Sequence, residues 1–189
     1  MDFLKISKRY PRQGQVEVSP KFIIGKSNDL MIRGGDFYAV WVEEKGLWST
    51  DEDDVKVMVD NALDEYVKDN IKGYEGSLTI KYMWDSDTGT IDKWHKYCQK
   101  QMRDSFHMLD EKLIFSNTET NKKDYASKKL SYPLEAGGIA AYDKLMATLY
   151  NEEERHKIEW AIGSIVSGDS KKLQKFMVLY GAAGTGKST

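Results

Sequence analysis

The 189-residue sequence has one cysteine, three prolines and three histidines, and each scarcity removes a class of protein. Cys98 alone cannot build an intrachain disulfide framework, which fits a reducing compartment. His95 and Cys98 stand three residues apart, but without a second ligand pair they make a poor zinc set, and Cys98 reads as a small buried apolar residue. No stretch approaches the ~18 apolar residues of a membrane span, and the opening MDFLKISKRYPRQG lacks the apolar core of a signal peptide. The expectation is a cytoplasmic protein with no membrane partner. Charge of one sign is also lacking: 28 Lys and Arg against 30 Asp and Glu give a formal charge of −2, so no global basic field announces nucleic acid. Any such contact must be a local patch. Core-forming residues are plentiful, with 40% hydrophobic and 12% aromatic content in a length that suits one domain or two small ones.

The chemistry concentrates in residues 175–189, KFMVLYGAAGTGKST. An apolar run at 176–180 reads as a buried strand, and the residues from Gly181 to Ser188 follow it with G-x-x-x-x-G-K-[ST] spacing. That is a Walker A loop. Gly181 and Gly186 let the backbone turn so that successive N–H groups face a β-phosphate, Lys187 adds a point charge toward the β/γ oxygens, and Ser188 offers a hydroxyl to Mg²⁺. Such a lysine opens a helix whose N-terminus faces the phosphate, and here only Ser188 and Thr189 remain to begin it. The sequence is therefore expected to be the front part of an NTPase that by itself neither binds nor hydrolyses ATP. The carboxylate for Mg²⁺, the sensor and the arginine finger would lie beyond it.

The remainder predicts an α+β N-terminal region, a hairpin plus helices with a mostly helical middle, leading into the first helix, strand and P-loop of an α/β AAA+-type NTPase. Residues 21–24 read as a strand and 37–48 as a β-hairpin turning at 43–46. Ser49 and Glu52 form a capping box for a helix whose face is Val55, Met58, Val59, Ala62, Leu63, Tyr66 and Val67. Residues 78–84 alternate as a half-buried strand. Residues 85–89 resemble the opening of a calcium loop but lack its sixth-position glycine and twelfth-position glutamate, so they read as a turn. Thr90 caps a predicted helix running to about Leu113. The polar loop at 116–131 carries Lys122, Lys123, Lys128 and Lys129 around Tyr125. Charge runs are usually exposed faces, so the loop reads first as solvated and second as a contact for phosphates with a base stacked on the tyrosine. A helix over 139–150 presents Ile139, Tyr142, Leu145 and Leu149. A second, capped by Asn151 and Glu154, presents Ile158, Ala161, Ile162, Ile165 and Val166 and ends at Gly168. Its internal Gly163 suggests close packing against a neighbour. Domains are expected at 1–72, 73–150 and 151–189.

From Glu159 to Thr189 the sequence resembles the approach to the motor domain of the superfamily 3 replicative helicases of phages and large DNA viruses, the poxvirus primase-helicase-like group. Tyr38, Trp41, Gly46 and Trp48 before a capped helix are similar to the small domain that precedes that motor. The likeness covers most of the chain loosely, and about the last 35 residues carry a specific motif. It implies a hexameric, ATP- and Mg²⁺-dependent helicase acting on single-stranded or forked DNA with replisome partners, in the cytoplasm of a phage-infected host. Carried over, Gly181, Gly186, Lys187 and Ser188 are the nucleotide-binding set, with Lys187 catalytic, and Ala182, Ala183, Gly184, Thr185 and Thr189 line the loop. Thr185 stands where that group often has asparagine, giving the Gly-Thr-Gly-Lys of many other AAA+ ATPases. Two alternatives stay open: a non-catalytic module for DNA or replisome binding or for ring assembly, and another P-loop class such as an initiator or a DNA-packaging ATPase.

Overall fold

Alternating apolar residues in Gln15–Phe22 build the longest strand, β2, whose Val16, Val18 and Pro20 point to one buried face while Glu17, Ser19 and Lys21 point away. In the computed structural model every residue is described except 24, 26, 34–36, 102–105, 183 and 185–189. The described residues form an α+β fold with two three-stranded sheets and five helices. β2 pairs antiparallel with β1 (Leu4–Arg9) and parallel with β6 (Ser77–Ile80). The second sheet runs β3 (Leu30–Arg33), β4 (Phe37–Val42), β5 (Leu47–Ser49), antiparallel throughout. The predicted strand at 21–24 thus overlaps only the end of a longer one that stops at Phe22, and Ile24 lies outside the described residues. The predicted hairpin is β4–β5, closed by Lys45 N–H to Val42 O at 3.1 Å and Gly46 N–H to Glu43 O at 3.1 Å.

Helix α1 (Glu52–Asn70) follows the periodicity, burying Val55, Val59 and Leu63 completely. Each such burial contributes about 1.5–3 kcal/mol. Its cap differs from the expected box. Asp51 is the N-cap and accepts Asp53 N–H at 2.9 Å, while Ser49 Oγ accepts Asp51 N–H at 3.1 Å one step earlier. A carboxylate next to the helix dipole serves better than a hydroxyl two residues back.

The strand expected over 78–84 ends at Ile80. There Asp60 on α1 takes Met83 N–H at 2.7 Å, so Met83 is buried and Trp84 is left 57% exposed. Residues 85–89 are a turn, with Asp85 accepting Asp87 N–H at 3.0 Å. Helix α2 (Thr90–Lys100) begins at Gly89 with no side-chain cap, so Thr90 is its first residue and not its cap. It also ends earlier than predicted. Gln101 is extended at φ −89°, ψ 90°, residues 102–105 lie outside the described set, and 106–113 are not helical. The aromatics that favoured a longer helix are used elsewhere: Phe106 packs edge-on against Phe37, with centroids 5.2 Å apart.

The contacts divide the chain into two compact units, Met1–Met108 with Asn121–Ser127, and Leu109–Thr120 with Lys128–Thr189. The core of the first unites both sheets with α1 and α2 around Trp94. That indole is fully buried and lies 5.0–5.5 Å from the rings of Phe3, Phe22, Tyr38 and Tyr97. Cys98 sits beside it at 1% exposure, and burial pushes its thiol up to about 12.

In the second unit, α3 (Ala140–Leu149) buries Met146. The expected face is off-centre, with Ile139 61% and Leu145 45% exposed. Helix α4 (Glu152–Val166) carries the predicted capping box: Asn151 accepts Glu154 N–H at 2.9 Å and Glu154 accepts Asn151 N–H at 3.1 Å. A short α5 (Ser170–Leu173) follows. Gly168 terminates α4 at φ +79°, and a Cβ there would meet Glu111 O at 2.8 Å. Gly163, by contrast, has nothing within 4 Å, so close approach is not the reason for it.

Candidate functional site

Arg155 fixes α4 to α3. Its guanidinium donates to Glu159 Oε1 at 2.7 Å and Asp143 Oδ1 at 2.5 Å, and lies 5.5 Å from the Tyr142 ring. The two carboxylates raise its pKa further, so the guanidinium is charged at every accessible pH. α4 leads through α5 into residues 174–182, which run as irregular chain and not as the predicted strand. The reason is physical: a strand needs a ladder, and no described strand pairs with 176–180. Phe176 is 89% and Tyr180 98% exposed, and α4 itself has no buried residue, with Ile162 at 50% and Ile165 at 55%. Between α4 and this run lies an open groove of about 860 Å³, lined by Ile158, Ala161, Ile165, Phe176, Val178 and Leu179 among others. Lys175 reaches back over Trp160, 6.0 Å from the ring.

At the end of the run the structure describes Gly181, Ala182 and Gly184 of the phosphate-loop motif. Gly184 stands at φ +77°, a left-handed conformation with no neighbour within 4 Å of where a Cβ would sit. Ala183, Thr185, Gly186, Lys187, Ser188 and Thr189 lie outside the described residues. Among the described residues no group of three His, Cys, Asp or Glu is placed to hold a metal, and no helix is long and apolar enough to cross a membrane.

The basic loop is divided between the units. In the first, Asn121 and Asp124 form a capping box around the turn Lys122–Asp124, and Lys122 ion-pairs with Asp29. Burial alone would raise Asp29, but the Lys122 ammonium, the Asp2 N–H and the chain's amino group hold its carboxyl below the usual range. Tyr125 stacks on His107, with centroids 3.9 Å apart, and lies 6.5 Å from Trp48. Lys123 is exposed. In the second unit, Lys129 donates to Thr118 O at 2.8 Å and Lys128 is exposed. Lys122, Tyr125 and Lys129 therefore already have partners within the chain.

A second basic feature was not singled out from the sequence. On the first unit a groove of about 420 Å³ runs between β2 and α2, and Lys21, Lys93, Lys96 and Lys100 line it. Its signal was present in the sequence as lysines at i, i+3 and i+7 of a helix, one stripe of its surface. No family of known proteins, no curated protein and no solved structure matches this chain.

Proposed function

We propose that this chain carries the nucleotide-binding approach of an ATP-dependent nucleic-acid motor of the phage replicative-helicase type. The observation that carries the reading is the join between an unsatisfied apolar run at 176–180 and the Gly-rich motif that follows it. Five consecutive large apolar side chains in water, between 45% and 98% exposed, are costly unless neighbouring strands cover them. That is the condition of a central parallel strand awaiting its sheet. The left-handed Gly184 supports the same reading, because alternating right- and left-handed backbone forms the concave nest of N–H groups that binds phosphate. The capped α4 and its Arg155 clamp then serve as the first covering helix of that sheet.

In this reading ATP with Mg²⁺ is the resident ligand, supplying phosphoryl transfer as the energy source. Gly181, Ala182, Ala183, Gly184, Thr185 and Gly186 provide backbone donors. Lys187 places its ammonium against the phosphates, Ser188 offers its hydroxyl to the metal, and Thr189 closes the loop. The run at 176–180 pairs with no described strand, so the 189-residue chain alone is expected to bind no ATP at micromolar concentration. The test uses protein extended past Thr189. Lys187→Ala is expected to abolish nucleotide-dependent heat and turnover in it, and a parent protein that shows neither, or that is indifferent to the substitution, would overturn the reading. A second reading, a non-catalytic nucleic-acid or replisome module, draws on the exposed Lys123 and Lys128. It requires that charge reversal at those two positions abolish a salt-dependent gel shift.

A further inference from the structure

We infer that the lysine-lined groove between β2 and α2 is a binding site for the backbone of single-stranded nucleic acid. Its lining includes Lys21, Lys93, Lys96 and Lys100 together with Ser7, Ser19 and Phe22, so four lysines border it with no acidic residue among them. None of these lysines forms an ion pair with a described residue. The acidic groups nearest in sequence or register are Glu17, which is occupied by Arg9 at 2.5 Å and Lys81 at 3.3 Å, and Asp92, which does not line the groove.

The strand register adds a second, independent observation. β1 and β2 place Lys5 directly opposite Lys21, a like-charge cross-strand pair. Such a pair is destabilising in an isolated sheet. A chain with slightly more acid than base has carboxylates available for this spot and uses none. Lys21, the member of the pair that lines the groove, would meet an anion bound there.

The shape selects the kind of anion. Lys93 to Lys100 spans seven residues of α2, about 10 Å at 1.5 Å per residue. One nucleic-acid strand presents a charge roughly every 3.4 Å, so about four successive phosphates span the stripe from Lys93 to Lys100. The site is a shallow groove of about 420 Å³ lined from both β2 and α2, a form that suits one extended strand. Its hydroxyls, Ser7 and Ser19, suit phosphate oxygens, and the half-buried Phe22 provides an apolar edge beside the charges, the combination used by grooves that track a single strand.

The inference takes from the proposed function only the presence of nucleic acid, and the test separates the two. Fluorescence anisotropy of the 189-residue chain with labelled oligo(dT) across a salt series is the readout. Binding is expected to weaken with salt at about 0.7 logarithmic units per neutralised phosphate. The triple substitution Lys93→Ala, Lys96→Ala and Lys100→Ala is expected to flatten the slope by about 2 and to weaken binding at least tenfold at low salt. Those three lysines are exposed and alanine favours helix, so the variant stays folded, which circular dichroism checks. Lys21→Ala, from the opposite wall, is expected to flatten the slope by a further ~0.7. The inference fails if the triple variant binds within twofold of the parent, if the parent does not bind, or if polyglutamate displaces the oligonucleotide as well as unlabelled oligo(dT) does. Loss of ATPase on Lys187→Ala in the extended protein is unaffected by any of these results, so either idea can fall without the other.

Discussion

At the residue scale the first unit is held by a few polar contacts whose effect depends on pH. Asp29 accepts Asp2 N–H at 2.9 Å, faces the amino group of Met1 at 3.5 Å and pairs with Lys122, while its own carbonyl accepts Trp41 N–H at 2.9 Å. One residue thus ties the chain's start, the second sheet and the segment 121–127 together. Its folded pKa is depressed, so the stabilisation is complete above the unfolded carboxylate value and is lost as pH falls through the folded one. Asp29→Asn should therefore cost about 1 kcal/mol at pH 7, since Lys122 is partly exposed, and the gap from wild type should close in acid once the depressed folded value has been passed. Urea midpoints at the two pH values measure it, and a gap that persists in acid would show that the carboxylate's charge is not what matters. Cys98 behaves in the opposite sense. Buried at 1% exposure and raised to about 12, its thiol should resist iodoacetamide in the native state at pH 8 and react promptly in 6 M urea. Modification of the native protein at the unfolded rate would contradict its place in the core.

At the scale of elements, periodicity and capping were legible wherever local sequence decides the outcome. α1 and α4 carry their own apolar spacing and formed where expected, α4 with its predicted capping box and α1 with Asp51 in place of Ser49 as cap, as did the β4–β5 hairpin with its Gly46 turn. What local pattern could not reveal was competition from distant groups. α2 stops at Lys100 although helical spacing continues to Leu113, and 78–84 stops being a strand once Asp60, far away in sequence, takes the Met83 amide. The candidate phosphate loop was legible from its motif alone, whereas the lysine groove needed β2 and α2 to be brought together. The two glycines of α4 make the same point with opposite signs. Gly163 lies mid-helix in open space, so Gly163→Ala should stabilise α4 by up to ~1 kcal/mol. Gly168 adopts φ +79° with Glu111 O 2.8 Å from any added Cβ, so Gly168→Ala should cost more than about 1 kcal/mol. Thermal melts of the two variants should shift in opposite directions, and a shared direction would mean that the end of α4 is not held as described.

At the scale of the whole molecule, the first unit is not a continuous segment, and this decides where the chain can be cut. Residues 121–127 return to it after a twelve-residue excursion through the second unit. They complete the environment of Trp48, whose backbone N–H donates to Ala126 O at 2.8 Å and whose indole donates to Lys122 O at 3.0 Å. Ala126 is 1% and Trp48 3% exposed, and Tyr125 lies between Trp48 and His107. Cutting after residue 108 removes both acceptors, the Lys122 partner of Asp29 and the cover over the indole. A buried donor left unsatisfied costs about 1–3 kcal/mol, so together these losses reach roughly 3–6 kcal/mol. Against the 5–15 kcal/mol that holds a typical domain, that is a large fraction. A chain of residues 1–135 also keeps the paired bonds between Asn117 and the Leu134 backbone, both 3.0 Å, and so retains the turn that brings 121–127 back. It should melt cooperatively and protect Trp48 from quenching by acrylamide, whereas residues 1–108 should melt far lower or without a sharp transition and leave that indole open to the quencher. Equal melting of the two pieces would mean that the returning segment lies on the surface without supporting it, and the boundary of the folded unit would then move to Met108.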